Sequence, residues 1–189
     1  MVNALVKFAK TLRWFFLDMG IGSLHGMFST ETRYRWRNKD GSIRQPPIWV
    51  KFSSLFYLCP SIACYFLIPG GRPWEFWLYV CVALDSFMSE GFFAGRSSRW
   101  HIADRITSYT CAFVTVMLKP LLCSVKWVNW FCCGFLIFVP ASKFLVWARK
   151  AETYEKWAIY HFTWHFLSVA AIVALIVTEH FYLEPLPAR

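Results

Sequence analysis

Long apolar runs separated by short polar stretches dominate the pattern of this chain. Each run extends over about 17–24 residues, the length that an α-helix needs to cross a hydrocarbon core roughly 30 Å thick. The runs lack the strict alternation of β-barrel strands and the two-faced pattern of soluble helices. The pattern predicts an all-α, polytopic integral membrane helix bundle with five spans, at about 49–68, 74–95, 102–118, 127–148 and 157–181.

The residues before this bundle follow a different pattern. Residues 1–28 combine early basic side chains with apolar residues at helical spacing, which predicts an amphipathic segment in the membrane interface. The segment has no clear small-residue cleavage site, so we expect it to be retained. The expected domain organisation is therefore an interfacial helix and basic surface loop over 1–48 and a transmembrane bundle over 49–189.

Residues 29–48 are polar and predict a loop at the membrane surface. The run Arg33-Tyr34-Arg35-Trp36-Arg37 alternates cations with aromatic rings, and Asn38–Gly41 predicts a turn. Aromatic rings favour the headgroup level, and arginines bind phosphate groups. We therefore expect the arginines of this run to contact acidic headgroups or an acidic partner.

The composition and the charge distribution agree with a membrane bundle. Hydrophobic residues make up 57% of the chain, against about 45–50% in ordinary soluble domains. If the five spans alternate in direction, sixteen of the twenty Lys and Arg residues fall on the side of the N-terminus. Positive residues favour the cytoplasmic or matrix side, which predicts an N-terminus inside and a C-terminus outside. Topology thus explains the net charge of +9, and no nucleic-acid partner is expected.

Polar and ionisable residues within the apolar runs or at their ends are the candidates for function, because such residues are costly in a bilayer. The predicted topology brings six of them to similar depth in the inner leaflet: Glu90, Ser97, His101, Asp104, His161 and His165. The last two are four residues apart and share one helix face, as paired metal ligands require.

Three imidazoles from two helices can hold a zinc ion and leave one position for water. We therefore predict zinc as the cofactor, with His101, His161 and His165 as ligands. Zinc lowers the pKa of bound water to about 7, which yields a hydroxide able to attack an ester or an amide. Asp104 can take the proton, and Ser97 can donate to a developing oxyanion. Glu90 can orient a metal-binding imidazole through a hydrogen bond, without binding the metal itself.

The order of these motifs resembles a known superfamily. The pattern Ser97-x-x-x-His101-x-x-Asp104 at a span boundary, followed by His161-Phe-Thr-Trp-His165 in the last span, is similar to seven-span membrane hydrolases. That group includes the alkaline ceramidases, the progestin and adipoQ receptors and the GPI-anchor lipid-remodelling proteins. The resemblance implies a zinc site on the three histidines that acts on lipid amides or esters. This chain departs from the pattern in having five predicted spans and no acid near Cys111.

Two other interpretations of the histidines stay open at this point. They can be helix-packing residues bonded to their neighbours, or they can hold a haem. The predicted function is a zinc-dependent membrane hydrolase of lipid amide or ester bonds, with membrane lipids as partners. The alternative is a non-catalytic accessory subunit that packs against other membrane subunits. The expected location is the membrane of the endoplasmic reticulum or Golgi, or the mitochondrial inner membrane.

Overall fold

A computed structural model of the chain describes residues 28–30, 34–68, 72–118 and 140–182. The predicted amphipathic segment over 1–28 and the first half of the predicted fourth span lie almost wholly outside the described residues. Within the described part, the chain is helical, and its β structure is limited to one isolated bridge between Arg37 and Ile43. The all-α class is therefore confirmed for this part of the chain.

The helices follow the predicted apolar runs closely. In chain order they are α1 (Ile48–Ser53), a 3-10 segment (Ser54–Tyr57), α2 (Leu58–Leu67), α3 (Pro73–Ser86), a π-helical segment (Phe87–Phe92), α4 (Trp100–Ala112), a second π-helical segment (Phe113–Leu118), α5 (140–150) and α6 (Tyr154–Tyr182). The first three form one continuous helical rod, Ile48–Leu67.

Proline and acidic residues explain two local features of these helices. Pro60 cannot donate to the carbonyl of Phe56, and the chain tightens to 3-10 geometry one turn earlier. Pro73 opens α3 at its first position, where its missing N–H costs nothing, and Glu75 adds a negative charge to the first turn.

Two of the described helices are long and apolar enough to cross a membrane: Ile48–Leu67, with mean hydropathy 1.4, and Tyr154–Phe181, with mean hydropathy 1.7. The helices in the second and third predicted spans form, but their polar side chains make them less apolar than these two helices. α3 and its π-helical extension hold three carboxylates, and α4 holds His101, Asp104 and Arg105. The described residues thus supply two such helices where the sequence predicts five spans.

The core of the described bundle is mainly apolar, and large apolar groups also lie on its outer surface. α2, α3, α4 and α6 pack around Tyr79, Val82, Ala83 and Ile172, all of which are 1% exposed or less. Alanines at these contacts let the helix backbones approach closely, as in membrane bundles. The outer surface also presents apolar rings, such as Phe66 at 75% exposure. An apolar exterior of this kind suits a lipid environment.

Candidate metal centre

Glu90, His161 and His165 converge near the end of the bundle where α3 gives way to its π-helical segment. The Oε2 atom of Glu90 lies 2.8 Å from Nε2 of His161 and 3.3 Å from Nε2 of His165. The ligand atoms of the three residues all lie within 4.8 Å of one another. Both histidines are buried on one face of α6, as their i, i+4 spacing predicts. The π-helical segment that carries Glu90 is a local irregularity of a type found frequently at functional sites.

A serine of α1 fixes which nitrogen of His165 faces the glutamate. Ser53 donates its single hydroxyl proton to the carbonyl of Val50, at 2.7 Å. It can therefore only accept from Nδ1–H of His165, which lies 2.8 Å away. Nε2 of a neutral His165 then carries a lone pair directed at Glu90. A lone pair facing a carboxylate is unfavourable unless a proton or a metal ion lies between them.

The 3.3 Å between Glu90 and His165 is the separation expected of two ligands on one metal ion, whereas the 2.8 Å between Glu90 and His161 is that of a direct hydrogen bond. Ligands at about 2.0–2.1 Å from a tetrahedral zinc lie roughly 3.3 Å apart. Two imidazoles and one glutamate, completed by water, form a donor set found in catalytic zinc sites. Metal-binding histidines nearly always donate their other N–H to a fixed acceptor, and Ser53 is that acceptor for His165. Trp157 stacks on the ring of His161, with centroids 5.3 Å apart, and holds its orientation.

The three residues line a cavity of about 200 Å³. Its wall combines polar groups, including Ser86, Ser89 and Asp104, with apolar residues of α3, α5 and α6. The volume is smaller than that of most small-molecule sites, about 300–1,000 Å³. It can hold a headgroup linkage but not the chains of a lipid.

His101 lies on the same cavity but outside this three-residue group. Its Nε2–H donates to the carbonyl of Arg96, at 2.8 Å, so Nδ1 accepts from the Ser89 hydroxyl, at 2.6 Å. Both ring nitrogens are therefore engaged within the protein. The sequence predicted His101 as the third metal ligand and Glu90 as a residue that orients an imidazole ligand. The structure instead brings Glu90 to the two histidines, and His101 joins the start of α4 to the π-helical segment.

The structure separates the other two predicted residues. Asp104 lines the cavity and accepts hydrogen bonds from Ser86 and, at 3.3 Å, from Ser108. Ser97 is exposed and donates to the hydroxyl of Thr30, at 2.9 Å. Ser97 is not among the residues that line the cavity, so the structure gives it no contact suited to an oxyanion there.

Ser53 is the residue that the sequence analysis missed. The predicted topology contained a signal for it, because the first span begins inside and places residue 53 near the depth of His165. This signal is weak, because a serine hydroxyl carries little cost within a helix. Which imidazole it meets depends on the rotation of α1 against α6, and the apolar pattern does not give that rotation.

Residues of the polar loop form part of the cavity wall. The predicted turn at Asn38–Gly41 is confirmed by the hydrogen bond from Gly41 N–H to the Asn38 carbonyl, at 3.0 Å. Tyr34 donates to the carbonyl of Arg44 and meets the edge of Trp157. Burial raises the pKa of the Tyr34 phenol, which therefore stays a proton donor at neutral pH. Arg35 donates to the carbonyl of Ala151 in the turn between α5 and α6.

Two features of this loop bear on the predicted contacts with acidic headgroups. Arg44 pairs with Glu155 at 3.2 Å and lies 3.6 Å from the ring centre of Tyr154, so the loop is attached to the start of α6. Arg37 is exposed, whereas Arg33 lies outside the described residues. A role for the loop at a membrane surface stays a prediction.

The geometry of the site is the basis for any assignment, because comparison with protein-family models, curated proteins and solved structures gave no match.

Proposed function

We propose that this protein is a zinc-dependent membrane hydrolase that cleaves lipid amide or ester bonds. Glu90, His161 and His165 would hold the zinc ion. The observation that carries the proposal is the orientation of the His165 ring. Its Nδ1–H donates to Ser53, while its Nε2 faces the glutamate and the second histidine. The resemblance to the ceramidase superfamily implies His101, His161 and His165 as ligands; the proposed site keeps His161 and His165 and has Glu90 in place of His101.

Several polar residues of the cavity would have a part in such a reaction. A bound zinc ion would supply a Lewis acid and an activated water near neutral pH. Asp104 is in the same cavity, and its carboxylate would take the proton released by that water. Ser86 and Ser108 hold this carboxylate in place by hydrogen bonds. His101 acts at a distance by fixing the segment that carries Glu90.

The proposed membrane arrangement has five spans, with the N-terminus inside. It is supported by the two long apolar helices, by the apolar exterior and by the charge asymmetry of the sequence. The metal site then lies in the inner leaflet, where a headgroup linkage can reach it while the chains stay in hydrocarbon. Tags placed at the two termini should react from opposite sides of sealed vesicles. Reaction of both tags from one side would exclude five spans.

Zinc content tests the metal site directly. The full chain should be purified without a polyhistidine tag and measured by elemental mass spectrometry; we expect about one zinc ion per chain. His165→Ala and Glu90→Gln should each lose it. His180→Ala is the matched control, because His180 is exposed near the other end of the same helix, and it should keep the metal. Equal zinc content in all four proteins would contradict the site.

The hydrolytic step is tested separately with Asp104→Asn. This variant should keep zinc and lose hydrolysis of fluorescent lipid amides and esters in vesicles, because the amide cannot accept the proton. Activity retained by Asp104→Asn would remove the aspartate from the mechanism. A wild-type chain that contains no zinc would favour the alternative, an accessory subunit in which the glutamate and the histidines form an interhelical ion pair.

A further inference from the structure

Four buried polar side chains form a row that leads from the cavity into the apolar interior of the bundle, hereafter the core row. Its members are Cys111, Thr115, Tyr79 and Glu75, and each is 3% exposed or less. Cys111 belongs to the cavity wall, whereas Glu75 lies in the first turn of α3, near the opposite end of the bundle. Polar groups cost free energy in an apolar interior, and the proposed hydrolysis makes no use of these four.

Helical spacing and the packing of α3 against α4 build the core row. Glu75 and Tyr79 are four residues apart on α3. Cys111 and Thr115 are also four apart, where α4 continues into its π-helical segment. Residues four apart lie on the same face of a helix, so each helix contributes one step along the bundle. The contact between the hydroxyl oxygens of Tyr79 and Thr115, at 3.5 Å, joins the two helices.

The protons of the core row point in one direction. Tyr79 donates its hydroxyl proton to Oε1 of Glu75, at 2.9 Å, so it can only accept from the hydroxyl of Thr115. Thr115 can then only accept from the thiol of Cys111, whose sulfur lies 3.9 Å from the threonine oxygen. Proton transfer along a chain of such groups requires this arrangement, because each group passes on its own proton as it receives the next.

Both ends of the core row lie beside side chains that reach the surface of the protein. At one end, Cys111 shares the cavity wall with Arg35, which is exposed. At the other end, Glu75 and Glu179 both pair with Arg72, which is 30% exposed. Two carboxylates held beside one guanidinium repel each other, and a proton bound by either of them relieves that repulsion. The far end of the row is therefore suited to accept a proton.

We propose that the core row conducts protons between the cavity and the outer side of the membrane. A proton from water in the cavity binds the sulfur of Cys111 as the thiol proton passes to Thr115. The threonine proton passes to Tyr79, and the tyrosine proton passes to the carboxylate of Glu75. Glu75 then releases a proton to water beside Arg72, and the hydroxyl groups rotate back. Only S–H and O–H bonds form and break. The path requires the proposed membrane arrangement and is independent of the metal.

Proton flux into sealed vesicles tests the path. The full chain is reconstituted with a pH-sensitive dye inside the vesicles, and a potassium gradient with valinomycin supplies the driving voltage. Wild-type vesicles should take up protons faster than protein-free vesicles. Tyr79→Phe removes the central hydroxyl and keeps the ring, so its flux should fall to the protein-free level. Tyr65→Phe makes the same change at a side chain that is 70% exposed, and its flux should equal that of the wild type.

Thr115 supplies a second pair of variants, which covers the case in which Tyr79→Phe does not fold. Thr115→Val keeps the size of the side chain and removes its hydroxyl, so it should also abolish the flux. Thr115→Ser keeps the hydroxyl and loses only a methyl group, so it should still conduct protons. A sodium-sensitive dye should show no matching uptake in any of these vesicles, because a row of hydrogen-bonding groups passes protons alone.

Four results would overturn the path. They are a wild-type flux no greater than that of protein-free vesicles, an unchanged flux in either Tyr79→Phe or Thr115→Val, an equal loss in Thr115→Val and Thr115→Ser, and an uptake of sodium that matches that of protons. Zinc is measured in the same preparations. Proton flux without zinc would refute the metal centre alone, and zinc without proton flux would refute the conducting row alone.

Discussion

Helix α6 carries one polar cluster near each end, and the two clusters stabilise carboxylates in different ways. The histidine cluster consists of Glu90, His161 and His165 with Ser53 behind them. The arginine cluster consists of Arg72, Glu75, Tyr79 and Glu179: Arg72 pairs with both glutamates, and Tyr79 donates to Glu75 at 2.9 Å. His161 and Glu179 are 18 residues apart, which corresponds to about 27 Å along the helix, close to the thickness of a hydrocarbon core.

The two clusters differ in the source of their positive charge. An arginine is protonated at every accessible pH, so the arginine cluster always contains its cation. An imidazole is neutral until it takes a proton, and in the neutral state it is a metal ligand. Either a proton or a metal ion could therefore be the cation of the histidine cluster. The arginine cluster has a fixed cation, which joins α3 to α6 permanently. The partners of a buried carboxylate, rather than its burial, thus decide whether a metal ion could take the place of its cation.

Removing the fixed cation should have the largest effect on stability. Arg72→Met leaves Glu75 and Glu179 buried, at 1% and 3% side-chain exposure, without their guanidinium. Breaking a buried ion pair costs about 3–5 kcal/mol, and we expect the lower end because Arg72 is itself 30% exposed. The free energy of unfolding in mixed micelles measures the loss. Arg99→Met, at an exposed position, is the control; equal losses in both variants would show that the arginine cluster is not structural.

Ser53 offers a test of the histidine cluster that leaves every proposed ligand in place. Ser53→Ala removes the acceptor for Nδ1–H of His165 and should weaken zinc binding about 10–100-fold. Ser54→Ala is the matched control, since Ser54 is equally buried and bonds only within its own helix, to the Lys51 carbonyl. Competition with a zinc chelator measures the affinities. A similar weakening in both variants would mean that the serine supports the helix rather than the metal ligand.

Much of the fold could be predicted because helix formation and apolar runs are local properties of the sequence. The i, i+4 spacing correctly placed His161 and His165 on one face of α6. The third member of the group could not be predicted, because it depends on how α3 rotates against α6. The π-helical segment at Phe87–Phe92 shifts that rotation within one turn and brings Glu90 to the histidines. Nothing in the apolar pattern indicates such a segment.

Within the described residues, the histidine cluster adjoins a cavity that the polar loop helps to line, and a glycine leaves room for that loop. Gly95 has a φ of +77°, and an added Cβ would lie 2.7 Å from Cγ2 of Ile43 in the loop. Gly95→Ala should therefore cost about 1–3 kcal/mol through strain and a shifted loop. Gly41→Ala shares the positive φ, at +82°, but meets no atom within 4 Å, so it isolates the strain. The free energy of unfolding should fall further in Gly95→Ala than in Gly41→Ala. Equal losses would mean that the loop can move away from the added methyl group at no cost.

The smallest expected effect concerns the neutral member of the arginine cluster. Tyr79→Phe removes one hydroxyl from a side chain with no exposure, and this hydroxyl donates to the buried Glu75. We expect a loss of about 1–2 kcal/mol in the free energy of unfolding, because Arg72 still pairs with the glutamate. Tyr65→Phe, at 70% exposure, should change it little. Zinc content should stay at the wild-type level in both variants, since the two clusters lie at opposite ends of the bundle. A loss of zinc in Tyr79→Phe would show instead that the clusters are coupled through the packed interior, and the proposed division into a structural end and a metal-binding end would no longer hold.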